Sequence, residues 1–316
     1  MSSALIGHTG FVGGAISRQH AFDHLFNSKN IASAREQDFS LVACAAAPGS
    51  MFEANRFPDR DAARVDALID ILSTISADRF ILLSSIAVLA SFDKGLDEET
   101  DDYQLDLAYG RNRRRLEAFC AEHFNNCLIV RLPALFGEGL KKNFIFDILN
   151  PMPSMLPPAR FGELCAALPE TLAVAVRRIY SEDTELGMMM VDRAGLDASG
   201  LRSELEAAVT ELGYSALAFT NPDSEFQYYD MSQIWSDVSR SVDAGLPTIH
   251  LAPAPLKASA VFELATGETM APNGARLHRE DMRTCHASLW QRDGVYMQSP
   301  EEVADRLKAY FAQVTP

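Results

Sequence analysis

Leu5-Ile6-Gly7-His8-Thr9-Gly10-Phe11-Val12-Gly13-Gly14 is the stretch that decides the fold. Ala4-Leu5-Ile6 is a short apolar run, and beyond the glycines a helical pattern continues through Ile16 and His20. The order is strand, glycine turn, helix. The spacing Gly7-x-x-Gly10-x-x-Gly13 has a physical logic. One glycine permits the tight turn, one lets the backbone approach a pyrophosphate with no Cβ in the way, and one lets the helix pack on the strand. Phosphates placed there meet free N–H groups and the positive end of the helix dipole. The turn predicts the pyrophosphate loop of a nicotinamide dinucleotide domain. Its cofactor-binding residues would be Gly7, Thr9, Gly10, Phe11, Val12 and Gly13. A purely structural turn is the alternative.

Further along, Phe39–Ala47 reads as a buried strand closed by Pro48-Gly49, and Ala62–Ile75 carries Val65, Leu68, Ile69 and Leu72 at helical spacing. Arg79–Ser84 is a third strand, Ala108–His123 a long helix, and Asn126–Leu132 a fourth strand. Apolar strands alternating with helices predict an α/β fold: a doubly wound parallel (Rossmann) sheet. After about residue 137 the pattern changes. Pro151-Met152-Pro153 and Pro157-Pro158 break the chain, and Leu168–Ile179, Leu201–Leu212 and Met231–Ala244 read as helices. Met188-Met189-Met190 reads as a buried strand, Thr248–Ala252 as one more strand, and Ser299–Ala312 as a final helix. The expected division is a dinucleotide-binding domain over 1–150 and a smaller, mostly helical substrate lobe over 151–316, either separate from the first or interleaved with it.

The 316 residues carry a net charge of −15, which argues against a nucleic-acid partner, whose backbone is held by clustered Lys and Arg. No run of about 18 apolar residues occurs, so no membrane partner is expected. The five cysteines show no metal-ligand spacing. They read as reduced thiols of a cytoplasmic protein. His278, Arg279, Asp281, Arg283 and His286 also lack such a spacing, and no metal site is expected.

Several motifs in order carry a family resemblance. They are the Gly-His-Thr-Gly-Phe-Val-Gly turn, Ala45-Ala46 at a strand end, and Ser84-Ser85-Ile86-Ala87-Val88-Leu89. Asp97-Glu98-Glu99-Thr100 ahead of Tyr109-Gly110, and Arg131-Leu132-Pro133-Ala134-Leu135-Phe136-Gly137, complete the set. Over residues 3–145 the chain resembles the extended short-chain dehydrogenases/reductases, which include NAD(P)-dependent nucleotide-sugar epimerases, dehydratases and reductases. The resemblance implies Tyr109 as general acid/base and Ser85 as the hydroxyl that orients the substrate oxygen. It also implies cofactor contacts from Ala45, Ala46, Ser84 and Pro133. The family's Tyr-x-x-x-Lys is here Tyr109-Gly-Arg-Asn-Arg113. Arg113 lies one helical turn after Tyr109 and keeps the positive charge, although a planar guanidinium is no simple substitute for an ammonium. Arg64 and Leu89 are further departures from the family pattern. Tyr109 as an ordinary helix residue, Ser84 and Ser85 as a strand end, and Arg113 as part of a solvated basic face with Arg111, Arg114 and Arg115 are the structural alternatives.

The cofactor is NAD or NADP. No acid ends the short second strand, His24–Phe26. Asn27 and Lys29 follow it, with Arg35 a further candidate for a phosphate, and this leans slightly toward NADP. Lys141-Lys142-Asn143, after the Gly137-Glu138-Gly139 loop, reads either as a contact to a substrate phosphate or as a surface loop. Phe226-Gln227-Tyr228-Tyr229-Asp230 would line either a cleft or the core. The expected function is an NAD(P)-dependent oxidoreductase, epimerase or dehydratase on a small-molecule substrate. By family analogy that substrate is a nucleotide-sugar, and a homo-oligomer is possible. The alternative is a dinucleotide-binding sensor or interaction protein without turnover.

Overall fold

The computed structural model describes residues 2–314. Strands β1 (Ser2–Ile6), β2 (His24–Phe26), β3 (Asp38–Cys44), β4 (Phe80–Ser85), β5 (Cys127–Leu132) and β6 (Thr248–His250) form a parallel sheet in the order β2-β1-β3-β4-β5-β6. Ser76–Ala77 adds a short strand against the start of β3. Helices α1 (Phe11–Gln19), α2 (Pro58–Leu72), α3 (Ala108–His123) and α4 (Ile234–Asp243) cover it.

Strand periodicity divides the core between the two faces. Ala4, Ile6, Val42, Cys44, Phe80 and Leu82 pack with Val65, Leu68 and Leu72 of α2 and Leu116 and Cys120 of α3. Leu5, Ala43, Ile81, Leu83, Leu128 and Val130 pack with Ala15 and Ile16 of α1 and Ile234 and Val238 of α4. This is the doubly wound sheet that the sequence predicts. Its order reverses at β1, which has β2 on one side and β3 on the other. At such a switch point the carboxyl ends of the strands open a crevice for ligands.

Some boundaries differ from the sequence reading. β3 stops at Cys44, and Ala45–Ala47 leave the ladder as the chain turns past Gly7. α2 starts four residues early at Pro58, whose fixed φ suits the first helical position. Met231–Ala244 divides into a 3-10 turn, Met231–Gln233, and α4.

The chain forms two compact units. The first holds residues up to Leu140 together with Glu225–Leu256 and Arg279–Tyr310; the second holds Lys141–Ser224, Lys257–His278 and the chain from Phe311 on. β6 therefore belongs to the first unit's sheet although it lies late in the sequence. So do Tyr228 and Tyr229, which are core residues: Tyr228–Asp230 pairs with Ala134–Phe136, and the Tyr229 hydroxyl donates to Asp237 at 2.7 Å. The second unit carries a three-stranded antiparallel sheet of Met155–Leu156, Met188–Val191 and Tyr180–Asp183. Met188–Met190 is a strand as expected, but half-buried rather than buried. Helices Pro158–Ala167, Glu170–Ile179 and Arg202–Glu211 pack with it around Leu164, Val176, Leu205 and Val209. The five cysteines are free, and burial pushes the Cys44 thiol up to about 11. Among the described residues no helix is long and apolar enough to cross a membrane.

Candidate active site

The three glycines of the first turn do different work. Gly7 has φ +90°, and a Cβ there would lie 2.5 Å from the Ala45 carbonyl oxygen. A Cβ on Gly13 would lie 2.2 Å from the Gly7 carbonyl oxygen. Packing alone therefore demands glycine at both positions. At Gly10 a Cβ would touch only the Gly7 oxygen, at 3.4 Å, an ordinary contact. The exposed side of Gly10 stays open. No side chain caps α1 and no acid stands in its first turn, so the helix start presents its N–H groups and positive dipole outward. Thr9 and Gly10 are exposed, Phe11 and Val12 half-buried, and Ala45 and Ala46 flank the turn from the end of β3. These residues fit a pyrophosphate.

The Gly7 N–H donates to the Phe26 carbonyl at 2.8 Å, which fixes the end of β2 beside the turn. Asn27 follows. Its Nδ2 donates to His8 Nε2 at 3.2 Å, and its Oδ1 accepts from the Lys29 N–H at 2.9 Å. A neutral carboxamide thus stands where an acid would single out NAD. Lys29 is exposed. Arg35, the further candidate, instead pairs with the Asp70 carboxylate on α2.

Ser84 and Ser85 end β4 with opposite commitments. The Ser84 hydroxyl donates to Glu117 Oε1 at 2.6 Å. Ser85 Oγ accepts from the Ala87 N–H at 3.2 Å, so its proton remains available to donate. Gly110 brings α3 down on this same turn, since a Cβ there would lie 2.0 Å from the Ala87 carbonyl oxygen. Tyr109 precedes Gly110 and is half-buried, and its N–H donates to Asn55 Oδ1 at 2.9 Å. Tyr109 and Ser85 therefore stand at one end of β4, the carboxyl end. Pro133 is buried where the chain steps from β5 into Ala134–Phe136.

The basic run on α3 is no uniform solvated face. Arg115 pairs with Asp66 at 2.7 Å, and Arg114 lies over the Tyr103 ring at 4.1 Å. Arg113 is 3% exposed and forms an ion pair with Asp61 of α2, itself 4% exposed. Arg64 is exposed, 3.8 Å from Glu53.

A second buried ionic group lies beneath. Arg131 of β5 forks onto Glu117, with Nε at 3.1 Å from Oε1 and Nη2 at 2.8 Å from Oε2. Arg131 Nη1 also donates to His250 Nε2 at 3.0 Å, and His250 Nδ1 lies 2.9 Å from the Arg283 carbonyl. A guanidinium only donates and a carbonyl only accepts, so His250 is neutral with its proton on Nδ1. Burial, together with the Arg131 cation, pushes its pKa down to about 4 against the pull of Glu98 and Asp97. Glu98 accepts from the His250 N–H and the Thr284 hydroxyl, each at 2.7 Å, and from the Cys285 N–H at 2.9 Å. Its oxygen atoms come within 4.8 Å of Cys285 and His286 ligand atoms, but those hydrogen bonds already occupy it. Asp61, Glu117 and His250 are not singled out by the sequence reading. Glu117 was within reach of it, being two helical turns from Tyr109 on the same face; Asp61 and His250 had no local signal.

Two predictions test this geometry. Gly13→Ala should destabilise the protein by ~1–3 kcal/mol through overpacking, read by urea unfolding. Gly10→Ala should change stability little and weaken NADPH binding instead; equal loss of stability in both variants would refute the division of roles. For His250 the folded pKa is depressed, so its contribution to stability is complete above pH 6.5 and is lost as pH falls toward about 4. The slope contributed by one group can reach ~1.4 kcal/mol per pH unit. Urea unfolding at stepped pH should show this slope, and His250→Gln should remove it.

No family model and no curated protein matches the sequence. Solved structures do match the fold. A dTDP-4-dehydrorhamnose reductase from Clostridium acetobutylicum has a TM-score of 0.63 at 13% identity, with 100% of each chain covered. The Bacillus anthracis dTDP-4-dehydrorhamnose reductase in complex with NADP has a TM-score of 0.61 at 12% identity, covering 99% of this chain and 98% of that one. A UDP-N-acetylglucosamine 4-epimerase from Methanobrevibacter ruminantium has a TM-score of 0.61 at 11% identity, covering 98% and 97%. This chain is built on the fold that those reductases and epimerases share.

Proposed function

We propose that the chain is an NAD(P)-dependent oxidoreductase or epimerase of the extended short-chain type, acting on a nucleotide-activated sugar. The observation that carries this reading is the placement of Tyr109 and Ser85. Both stand at the carboxyl end of β4, in the sheet whose switch point holds the open glycine turn. The substrate class rests on likeness to the NADP-bound reductase and to structures with UDP-sugars, including one in complex with UDP-glucose and NAD.

When bound, the nicotinamide would accept or supply the hydride. The chain's own residues handle the proton and the geometry. Tyr109 would take the proton from a carbinol oxygen, or return it to a carbonyl oxygen. Ser85 would donate its remaining hydroxyl proton to the same oxygen and fix its direction. Gly7, Thr9, Gly10, Phe11, Val12 and Gly13 would hold the pyrophosphate on backbone N–H groups. Ala45, Ala46 and Pro133 would line the cofactor, and Asn27 and Lys29 would face the adenosine ribose. With no acid there to repel a 2′-phosphate, NADP is slightly preferred. Ser84 would act indirectly, through Glu117. Binding of a dinucleotide without turnover is the second reading; on its side stand Arg113 and Arg64, which depart from the family pattern.

Calorimetric titration with NADPH and NADH is the first test, and binding of neither at ~1 mM would overturn the proposal. Absorbance at the reduced nicotinamide band then follows reduction of dTDP-4-dehydro sugars, and chromatography of the UDP-sugars follows epimerisation of UDP-glucose, which consumes no net cofactor. Tyr109→Phe should lower kcat ~10²–10⁴-fold while dinucleotide affinity is kept. Undiminished turnover in that variant would remove Tyr109 from its role.

A further inference from the structure

Three groups of the chain hold the Arg113 guanidinium. Nη1 donates to the Asp61 carboxylate and, at 3.3 Å, to the Tyr109 carbonyl; Nη2 donates to the Pro48 carbonyl. The guanidinium carbon lies 4.0 Å from the centre of the Tyr109 ring. Asp61 also accepts from Asn112 Nδ2 at 2.8 Å, so its carboxylate is anchored from α3 as well. The Arg113 Nε is buried without a hydrogen-bond partner. A bare buried N–H carries a penalty. The orientation that leaves it bare is the one that joins Asp61, Pro48 and the ring at once.

We propose that Asp61 is a positioning residue: it clamps Arg113 over the Tyr109 ring and so fixes where the phenol points. This deepens the reading of Tyr109 as acid/base and rests on it. The clamp needs arginine. A lysine ammonium has no plane to lay on a ring and no fork to span a carboxylate and a carbonyl together. Arg113 and Asp61 are thus a matched pair, and the departure from Tyr-x-x-x-Lys has its compensating residue on α2. The clamp also ties the Ala45–Pro48 segment, which follows β3 beside the glycine turn, to the start of α3.

The test needs no substrate. The full chain, labelled with ¹³Cζ-tyrosine, gives one signal for each of its eight tyrosines, and Tyr109→Phe identifies the one that belongs to Tyr109. Asp61→Asn should displace that signal while those of Tyr180 and Tyr214, in the second unit, stay in place. Asp61→Glu keeps the charge and should restore the signal part of the way. An unmoved Tyr109 signal in folded Asp61→Asn overturns the proposal. If that variant does not fold, Asp61→Glu decides: a carboxylate one methylene longer must shift the guanidinium and the ring, and an unmoved signal is equally fatal. On a nucleotide sugar found to turn over, kcat should fall ~100-fold with KM little changed. A displaced signal with unchanged kcat also overturns the clamp, because the ring's position would then not matter. Turnover that survives Tyr109→Phe would instead sink the acid/base reading, and the spectrum would still report on the clamp.

Discussion

The candidate site depends on a contact between backbones. Gly13 lies on the carbonyl of Gly7, and Gly7 lies on the carbonyl of Ala45. With no Cβ between them, α1 drops onto the end of β1, and β1 and β3 close side by side at the switch point. That descent aims the uncapped start of α1 over the turn. A side chain at either glycine would lift the helix away and redirect its N–H groups. The middle glycine is not required by this packing, and for that reason its presence points to a ligand. A turn that served structure alone would tolerate a methyl group there.

Once the turn is set, α3 must arrive in register with β4. Apolar packing through Leu116 and Cys120 holds the helix on the sheet but does not fix its position along the axis sharply. Buried charge does. Glu117 meets Arg131 and Ser84, and Arg113 meets Asp61 and Pro48. A buried charge separated from its partner is heavily penalised, so each pair resists sliding more steeply than an apolar contact of the same size. Tyr109, Arg113 and Glu117 recur every four residues on one helical stripe. Arg113 and Glu117 lock the helix to α2 and to β5, and Tyr109 takes its place from them. Gly110 then permits the last approach, against Ala87.

The sheet was legible because its cues are local. Strand, turn and helix follow one another without a break over Ser2–Gln19, and the continuously buried apolar run of Ala4, Leu5 and Ile6 repeats in β3 and β4. The limits of α3 were legible as Ala108–His123 although Gly110–Arg115 interrupts its apolar spacing, which Leu116, Phe119 and Cys120 supply. The fate of Arg113 was not. Within α3 it stands among four arginines, and a solvated face was as good a reading as a functional cation. What distinguishes it is Asp61, 52 residues earlier, and no local pattern marks an aspartate in the first turn of an amphipathic helix as a buried partner. β6 was legible as a strand but not as part of the first sheet, because its place beside β5 is decided by the chain's return to the first unit.

Arg113 thereby changes meaning. Read along the sequence, it is a lysine position filled by the wrong cation, which argues for a site that has lost its chemistry. Read with Asp61, Asn112 and Pro48, it is part of a satisfied arrangement whose one orphaned N–H accompanies the stacking on Tyr109. With the role proposed for Tyr109, the buried pair fits a retuned site. It also shifts the explanation of the site's geometry from the Tyr-x-x-x-Arg motif on α3 to the contact between α2 and α3.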